Sequence, residues 1–595
     1  MDRYTEPVYY YFIFSCCFLL LFLGAHFLFT QFKQTTFNII DVLVFAYFGY
    51  VVIRYLYTAD NYLKTDQLRV NLFYLVGYCF IRHLLSISEN KKPHVFSSVF
   101  LLYSLGVLVS VVIGYLQYFG YLEGSNVLFE LEGMLGNPTP FSNYIVTVIP
   151  LCLVICIWSN KKTRVDKLLF YYYLVLLILS LGIIGVTMAR TAWLASLMCI
   201  AVVIVIRFYS HLKRLLNNRI RVVTVSAVFT IVLGLGVYGA YNIKKQSADS
   251  RLIIWKMSSE LIKEKPLLGN GFQTYLSKQN ENQIRHFETK SNIVDGYELY
   301  ANNSFHPFNE FILILMEYGI IGLIFFLAML VAVLVKVPVF KSINASSLSL
   351  YHFAAWLCII AYLVMSLTSY PLKVLSTHFY FYLFIATVSS LTPLRKHSIK
   401  LPQLAYISMG VLLLLFAPYL FTKQHSIYKA SLDWKKASNL ITLKKTDESL
   451  ALYEVVNEKL KNKIGFLYNY GATLNFLKEN EKSNEVLLMA YPTLNNTLML
   501  DCLGRNYKAL GDYDKAEEMF TRSHNLVPYL IYSRYNLFHI YVETNRIDEA
   551  MLLADELTGT EPKVSNLRSD LMIANVYTAM DTLRTQINNK LNAIE

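Results

Sequence analysis

Apolar stretches near 20 residues long recur along this chain, at approximately 9 to 30, 38 to 58, 69 to 88, 96 to 118, 142 to 158, 168 to 188, 191 to 209 and 221 to 241. After a polar gap they return at 308 to 335, 351 to 370, 374 to 392 and 403 to 422. A helix of that length rises about 30 Å, the thickness of a bilayer's hydrocarbon core. No water meets an open N–H or C=O inside that core, so helices are what such runs can form there. The pattern predicts an all-α polytopic bundle of about twelve spans, give or take one. A charged share of 16%, against roughly 25% in ordinary soluble domains, argues against one very large soluble core. The 45 tyrosines and 38 phenylalanines fit rings held at headgroup level and large side chains packed against lipid.

The net charge of +13 raises nucleic acid as a partner, but the basic residues sit in short clusters between apolar runs, such as Lys161-Lys162-Thr163-Arg164 and Lys213-Arg214. That is the positive-inside signature of cytoplasmic loops and not a phosphate-binding stripe, so no nucleic acid is expected. Lys161 to Lys167, Arg207 to Arg221, Lys336 to Lys341 and Arg395 to Lys400 mark the cytoplasmic side, whereas the segment around Glu123, Glu130 and Glu132 is acidic and falls outside. Alternation then places loop 242 to 307, and everything beyond about 423, outside; in a double-membraned bacterium that is the periplasm. With twelve spans the N-terminus falls outside too, a parity that one miscounted early helix reverses. The first run lacks a small-residue cleavage site and reads as a retained span. Of the eight cysteines, seven lie in apolar runs and only Cys502 in the polar C-terminal region, which offers neither a disulfide framework nor a CxxC metal site.

Two domains are expected: a membrane part over 1 to 425, including the outer loop 242 to 307, and a soluble helical part over 430 to 595. In the second part Tyr507 and Tyr541, Ala516 and Ala550, and Pro528 and Pro562 are each 34 residues apart, the tetratricopeptide period. Gly504 and Phe520 belong to the first copy, and a weaker copy contains Gly471 and Ala490. Small alanines let two helices approach, aromatics fill the gap beside them, and proline breaks the chain before the next unit. Such solenoids bind proteins in a concave groove or serve as a brace.

Four places combine charge or rigid backbone with the outer ends of spans. Gly136-Asn137-Pro138 is a turn that either lines a headgroup cavity or simply starts a helix. Arg190, in Ala189-Arg190-Thr191-Ala192-Trp193, lies so near the hydrocarbon edge that it must pair with an anion or snorkel outward. A guanidinium fork suits a pyrophosphate. Arg251, near Trp255, opens an amphipathic helix that runs to about Lys263 along the membrane surface and stops before Pro266-Leu267-Leu268-Gly269; it either leans into a site or is merely solvated. In His306-Pro307-Phe308-Asn309-Glu310, a helix begun at Pro307 puts Asn309 and Glu310 on the face of His306, so that a titratable ring, an amide and a carboxylate converge. A capping histidine is the plain alternative.

In this order the motifs resemble the O-antigen ligase superfamily, which also contains protein O-oligosaccharyltransferases and is related to O-antigen polymerases. The resemblance runs from about Leu135 to Gly322, through Gly136 to Pro138, Ala189 to Trp193, Arg251 with Trp255, Pro266 to Gly269, and His306 with Asn309, Glu310, Glu317 and Gly319. It implies a GT-C-like bundle and a cofactor-free, metal-independent transfer of a glycan from undecaprenyl pyrophosphate to an acceptor hydroxyl. It also implies that Arg190, Arg251 and His306 surround the pyrophosphate, with Asn137, Asn309 and Glu310 binding substrate. Phe308 stands where many relatives have a second histidine, which leaves His306 as the only histidine of the motif. The acceptor is a lipid A-core sugar, a protein Ser or Thr, or, in a polymerase, another lipid-linked repeat. A transporter would place paired charges or broken helices at mid-membrane, and few ionisable residues stand at span centres; a scaffold would leave Arg190, Arg251 and His306 replaceable.

Overall fold

The computed structural model describes residues 5–29, 35–58, 61–85, 92–124, 129, 131–209, 238–239, 241–242, 245–289, 297–335, 347–392, 397–399, 402–559 and 566–592. Most of the expected span 221 to 241, Glu130, Pro562, and most of the basic clusters at 207 to 221, 336 to 341 and 395 to 400 lie outside the described residues. What is described is helical, apart from one antiparallel ribbon pairing Thr35–Phe37 with His397–Ile399. Its helices fall into two compact units.

The membrane unit comprises Met1–Tyr57, Gln67–Lys245 and Pro307–Ser426. Nine helices among the described residues are long and apolar enough to cross a bilayer. The other three expected spans differ for separate reasons. Thr65–Leu84 carries Asp66, Arg69 and Arg82, Leu375–Leu391 is a shorter apolar helix of 17 residues, and 221 to 241 is largely undescribed. At the centre lies Ser347–Thr368, packed against Ile149–Trp158, Arg190–Arg207 and Leu375–Leu391. Its fully buried Ala354, Ala355, Cys358 and Ala361 let neighbouring backbones come close, which substitutes for the hydrophobic drive that lipid cannot supply. The run from Pro138 to Trp158 is interrupted at Thr147–Val148 between two short helices, and Glu310–Val335 breaks at Gly319, whose φ of 67° is one that side-chain-bearing residues avoid. Tyr50 donates its hydroxyl to the Tyr318 carbonyl beside that break at 2.8 Å.

The second unit, named outer for the side of the membrane expected from the sequence, comprises Thr58–Asp66, Gln246–His306 and Ile427–Glu595. The loop expected with the membrane part thus groups with the C-terminal helices. Those helices form antiparallel pairs: Ile464–Phe476 with Asn480–Ala490, Thr497–Ala509 with Tyr513–Leu526, and Ile531–Glu543 with Ile547–Gly559. Starts recur 34 residues apart, Thr497 to Ile531 and Tyr513 to Ile547. Ala490, Ala516 and Ala550 are fully buried, and a Cβ placed on Gly504 would meet the Phe520 ring at 2.8 Å. In that pair the small and aromatic positions meet, whereas Gly471 of the first pair faces Leu487.

The amphipathic helix around Arg251 forms as Lys245–Glu264, with a different use for its apolar face. Ile253, Ile254, Met257 and Leu261 are buried within the protein, where Ser258 bonds to Gln279 at 3.0 Å and Asn282 donates to the Met257 carbonyl at 3.1 Å. A face already buried within the protein is not available to lie in a membrane surface, because the same side chains cannot be buried twice.

Candidate active site

In the membrane unit, residues of three segments, Asn143, Thr191, and Asn309 with Glu310, are tied to one connection, Leu367 to Lys373. Asn137 caps the helix Pro138–Val146, its carboxamide oxygen accepting the Thr139 N–H at 2.9 Å. From the same helix, buried Asn143 donates to Ser369 Oγ at 2.8 Å. Arg190 is the first residue of Arg190–Arg207, following Met188, whose backbone is left-handed at φ 53°. The next residue, Thr191, lies 3.1 Å from Thr368, hydroxyl to hydroxyl. A guanidinium at a helix N-terminus faces the positive end of the helix dipole, so an anion placed there is attracted by both.

Asn309 and Glu310 close the ring of contacts. Asn309 Oδ1 accepts the N–H groups of Phe311 and Ile312 at 2.9 and 3.0 Å, while its amide donates to the Leu367 carbonyl at 3.0 Å. Buried Glu310 accepts the Leu372 N–H at 2.7 Å and has Lys373 as an electrostatic neighbour. Phe308 meets the Tyr370 ring edge-on at 5.5 Å. The helix therefore begins at Glu310 and not at Pro307, so the shared helical face expected for His306, Asn309 and Glu310 does not form. Asn309 is a stronger start signal than proline, because its side chain satisfies two orphan N–H groups directly, and Phe308 turns left-handed at φ 52° just before it.

In the outer unit, Arg251 is half-buried on Lys245–Glu264, and the half-buried His306 ends the loop. Ser304 sets the backbone there: its hydroxyl donates to the His306 carbonyl at 3.0 Å and meets the Tyr275 hydroxyl at 3.0 Å. Gly271, at φ 119°, brings the chain against Thr58, whose hydroxyl accepts the Phe272 N–H at 2.8 Å.

Residues 174–327 match the family model described as O-antigen ligase. Over that segment the chain is similar to O-antigen ligases. The match contains Arg190, Arg251, His306, Asn309 and Glu310; Asn137 precedes it. Similar proteins include a candidate polysaccharide ligase of Rickettsia typhi, 25% identical over 345 residues that make up 53% of this chain and 77% of the relative. One from Rickettsia bellii is 25% identical over 49% of this chain and 73% of its own length. A third, from Rickettsia felis, is 31% identical over 132 residues, 22% of this chain and 29% of the relative. Sequence reasoning around the ligase motifs missed the Leu367–Lys373 connection. Its signal was the break Ser369-Tyr370-Pro371 between two apolar runs, followed by Lys373, a lone cation where a span should start.

Proposed function

We propose that this membrane protein transfers a preassembled glycan from undecaprenyl pyrophosphate to an acceptor hydroxyl on the periplasmic side of the inner membrane. The observation that carries this reading is the single O-antigen ligase match over 174–327, which holds Arg190, Arg251 and His306 together in one segment. In the reaction the acceptor oxygen attacks the anomeric carbon of the first sugar and the bond from that carbon to the phosphate oxygen breaks. Undecaprenyl pyrophosphate leaves with the electron pair. Arg190 and Arg251 stabilise the charge that grows on it, a role two guanidinium groups fill without a metal. His306 takes the acceptor's proton or holds a phosphate oxygen. Glu310 and Asn309 shape the Leu367–Lys373 wall beside Arg190, and Asn143, on the helix that Asn137 caps, supports it from the neighbouring helix.

The repeats of the outer unit, read as a tetratricopeptide-like solenoid, offer a docking surface for a protein, so a protein Ser or Thr stands beside a lipid A-core sugar as the acceptor. Complementing a deletion strain with wild type, His306→Ala or Arg251→Ala at matched expression, and blotting lipopolysaccharide and glycoproteins for the glycan, tests both points. Wild type restoring one product while the alanine variants do not supports the transfer and names the acceptor. Variants that restore it fully overturn the assignment.

A further inference from the structure

We infer that the C-terminal repeats hold the His306 end of the ligase loop in place, with Asn303 and Thr497 as the positioning residues. This rests on the reading of His306 as a member of the transfer site. Asn303 donates its side-chain amide to Thr497 Oγ1 at 2.9 Å, and its Oδ1 accepts the Thr497 N–H at 3.1 Å. Thr497 is the first residue of the helix Thr497–Ala509, so its N–H has no partner within that helix. A loop residue supplies the missing acceptor. The next residue after Asn303 is the buried Ser304, whose hydroxyl bonds to the His306 carbonyl. Hydrogen bonds at two successive residues, Asn303 and Ser304, thus link a repeat helix to the backbone of His306.

The rest of the contact is built with the same specificity. Helix Tyr275–Thr289 packs on Tyr513–Leu526. Gln283 donates to the Leu526 carbonyl at 2.5 Å and to the Asn302 carbonyl at 3.3 Å, linking repeat, helix and loop through one side chain. Asn495 donates to the Ser277 carbonyl at 3.0 Å, and Arg522 meets Glu281 at 2.6 Å. Ile284 fills a small apolar cluster with Leu500, Leu526 and Val527. A platform that served only to bind partners would not need amide side chains reading loop carbonyls. A hydrogen bond depends on distance and angle, so each of these bonds fixes position as well as adhesion.

The test uses the full-length protein in the complemented deletion strain and, purified, in liposomes. Asn303→Ala and Thr497→Val should lower glycan transfer about 10- to 100-fold, the size expected when a reacting group is displaced by about 1 Å. Thr497→Ser, which keeps the hydroxyl, should return it to near wild type. Glu281→Arg should lower transfer, and adding Arg522→Glu should restore it. A spin label on Phe305→Cys, an exposed position, should gain mobility in Asn303→Ala and Thr497→Val but not in Thr497→Ser. Full transfer and an unmoved label in Asn303→Ala and Thr497→Val, with His306→Ala inactive, overturn this inference and leave the transfer reading standing. Full transfer by His306→Ala overturns that reading, and this one with it.

Discussion

In the membrane unit Asp41 and Arg82 meet at 3.1 Å with side chains only 2% and 12% exposed; in the outer unit Glu454 and Lys482 meet at 2.5 Å with side chains 57% and 45% exposed. The closer pair is the weaker one. Water around Lys482 replaces most of what Glu454 gives it, and two long side chains lose freedom to keep the contact. Around Asp41 there is no such replacement: Tyr78 donates to it at 2.5 Å, Ser389 at 2.9 Å, and the Asn38 N–H at 2.9 Å. The pair is one part of a network in which removing any member leaves a buried charge or dipole unmatched.

The comparison breaks or sharpens at several points. Asp41→Ala should destabilise the full-length protein in detergent by about 3 to 5 kcal/mol, read as a fall in thermal unfolding midpoint; a change near that of an exposed pair would break it. Arg251→Ala should cut transfer by about 10² to 10³, the cost of removing one preorganised charge partner, at unchanged membrane abundance. Gly504→Ala, whose new Cβ meets Phe520 ring carbons at 2.8 to 3.0 Å, should cost about 1 to 3 kcal/mol of thermal stability.

A pH effect separates the outer unit further. Burial, with Arg534 adding to it, pushes the His524 ring down from 6.5 to about 4, so the folded chain binds fewer protons there than the unfolded one. Stability from this group is full above pH 6.5 and is lost as pH falls toward 4. His524→Gln should therefore gain relative to wild type between pH 6.5 and 4, in thermal unfolding at both values; parallel curves would break the assignment. Burial pushes the Asp501 carboxyl in the opposite direction, up to about 6. Smallest of all, Lys482→Ala should change stability by less than about 1 kcal/mol.

Much of this was legible in residue order because local rules and solvent agree. Twenty-residue apolar runs have one outcome in lipid, and the 34-residue spacing of Tyr507 with Tyr541 and Ala516 with Ala550 reappears as helix pairs with the same offset. The helix expected from Pro307 starts three residues later, at Glu310, since Pro307 and Asn309 both signal a start and only the capped geometry selects between them. The apolar stripe of Lys245–Glu264 was visible but its partner was not. A stripe states that burial will occur, not whether lipid or another helix provides it.

By itself the sequence determined that this chain enters the membrane many times, that it ends in a helical repeat, and that Arg190, Arg251 and His306 belong to one family segment. Those features are local periodicities and motifs, and nearest neighbours suffice to encode them. Tertiary structure alone decided that Leu367–Lys373 gathers Asn143, Thr191, Asn309 and Glu310, and that Asn303 docks on Thr497. Each of these pairings joins residues far apart in the chain through a single hydrogen bond or two, and neither composition nor spacing carries the geometry that such bonds require.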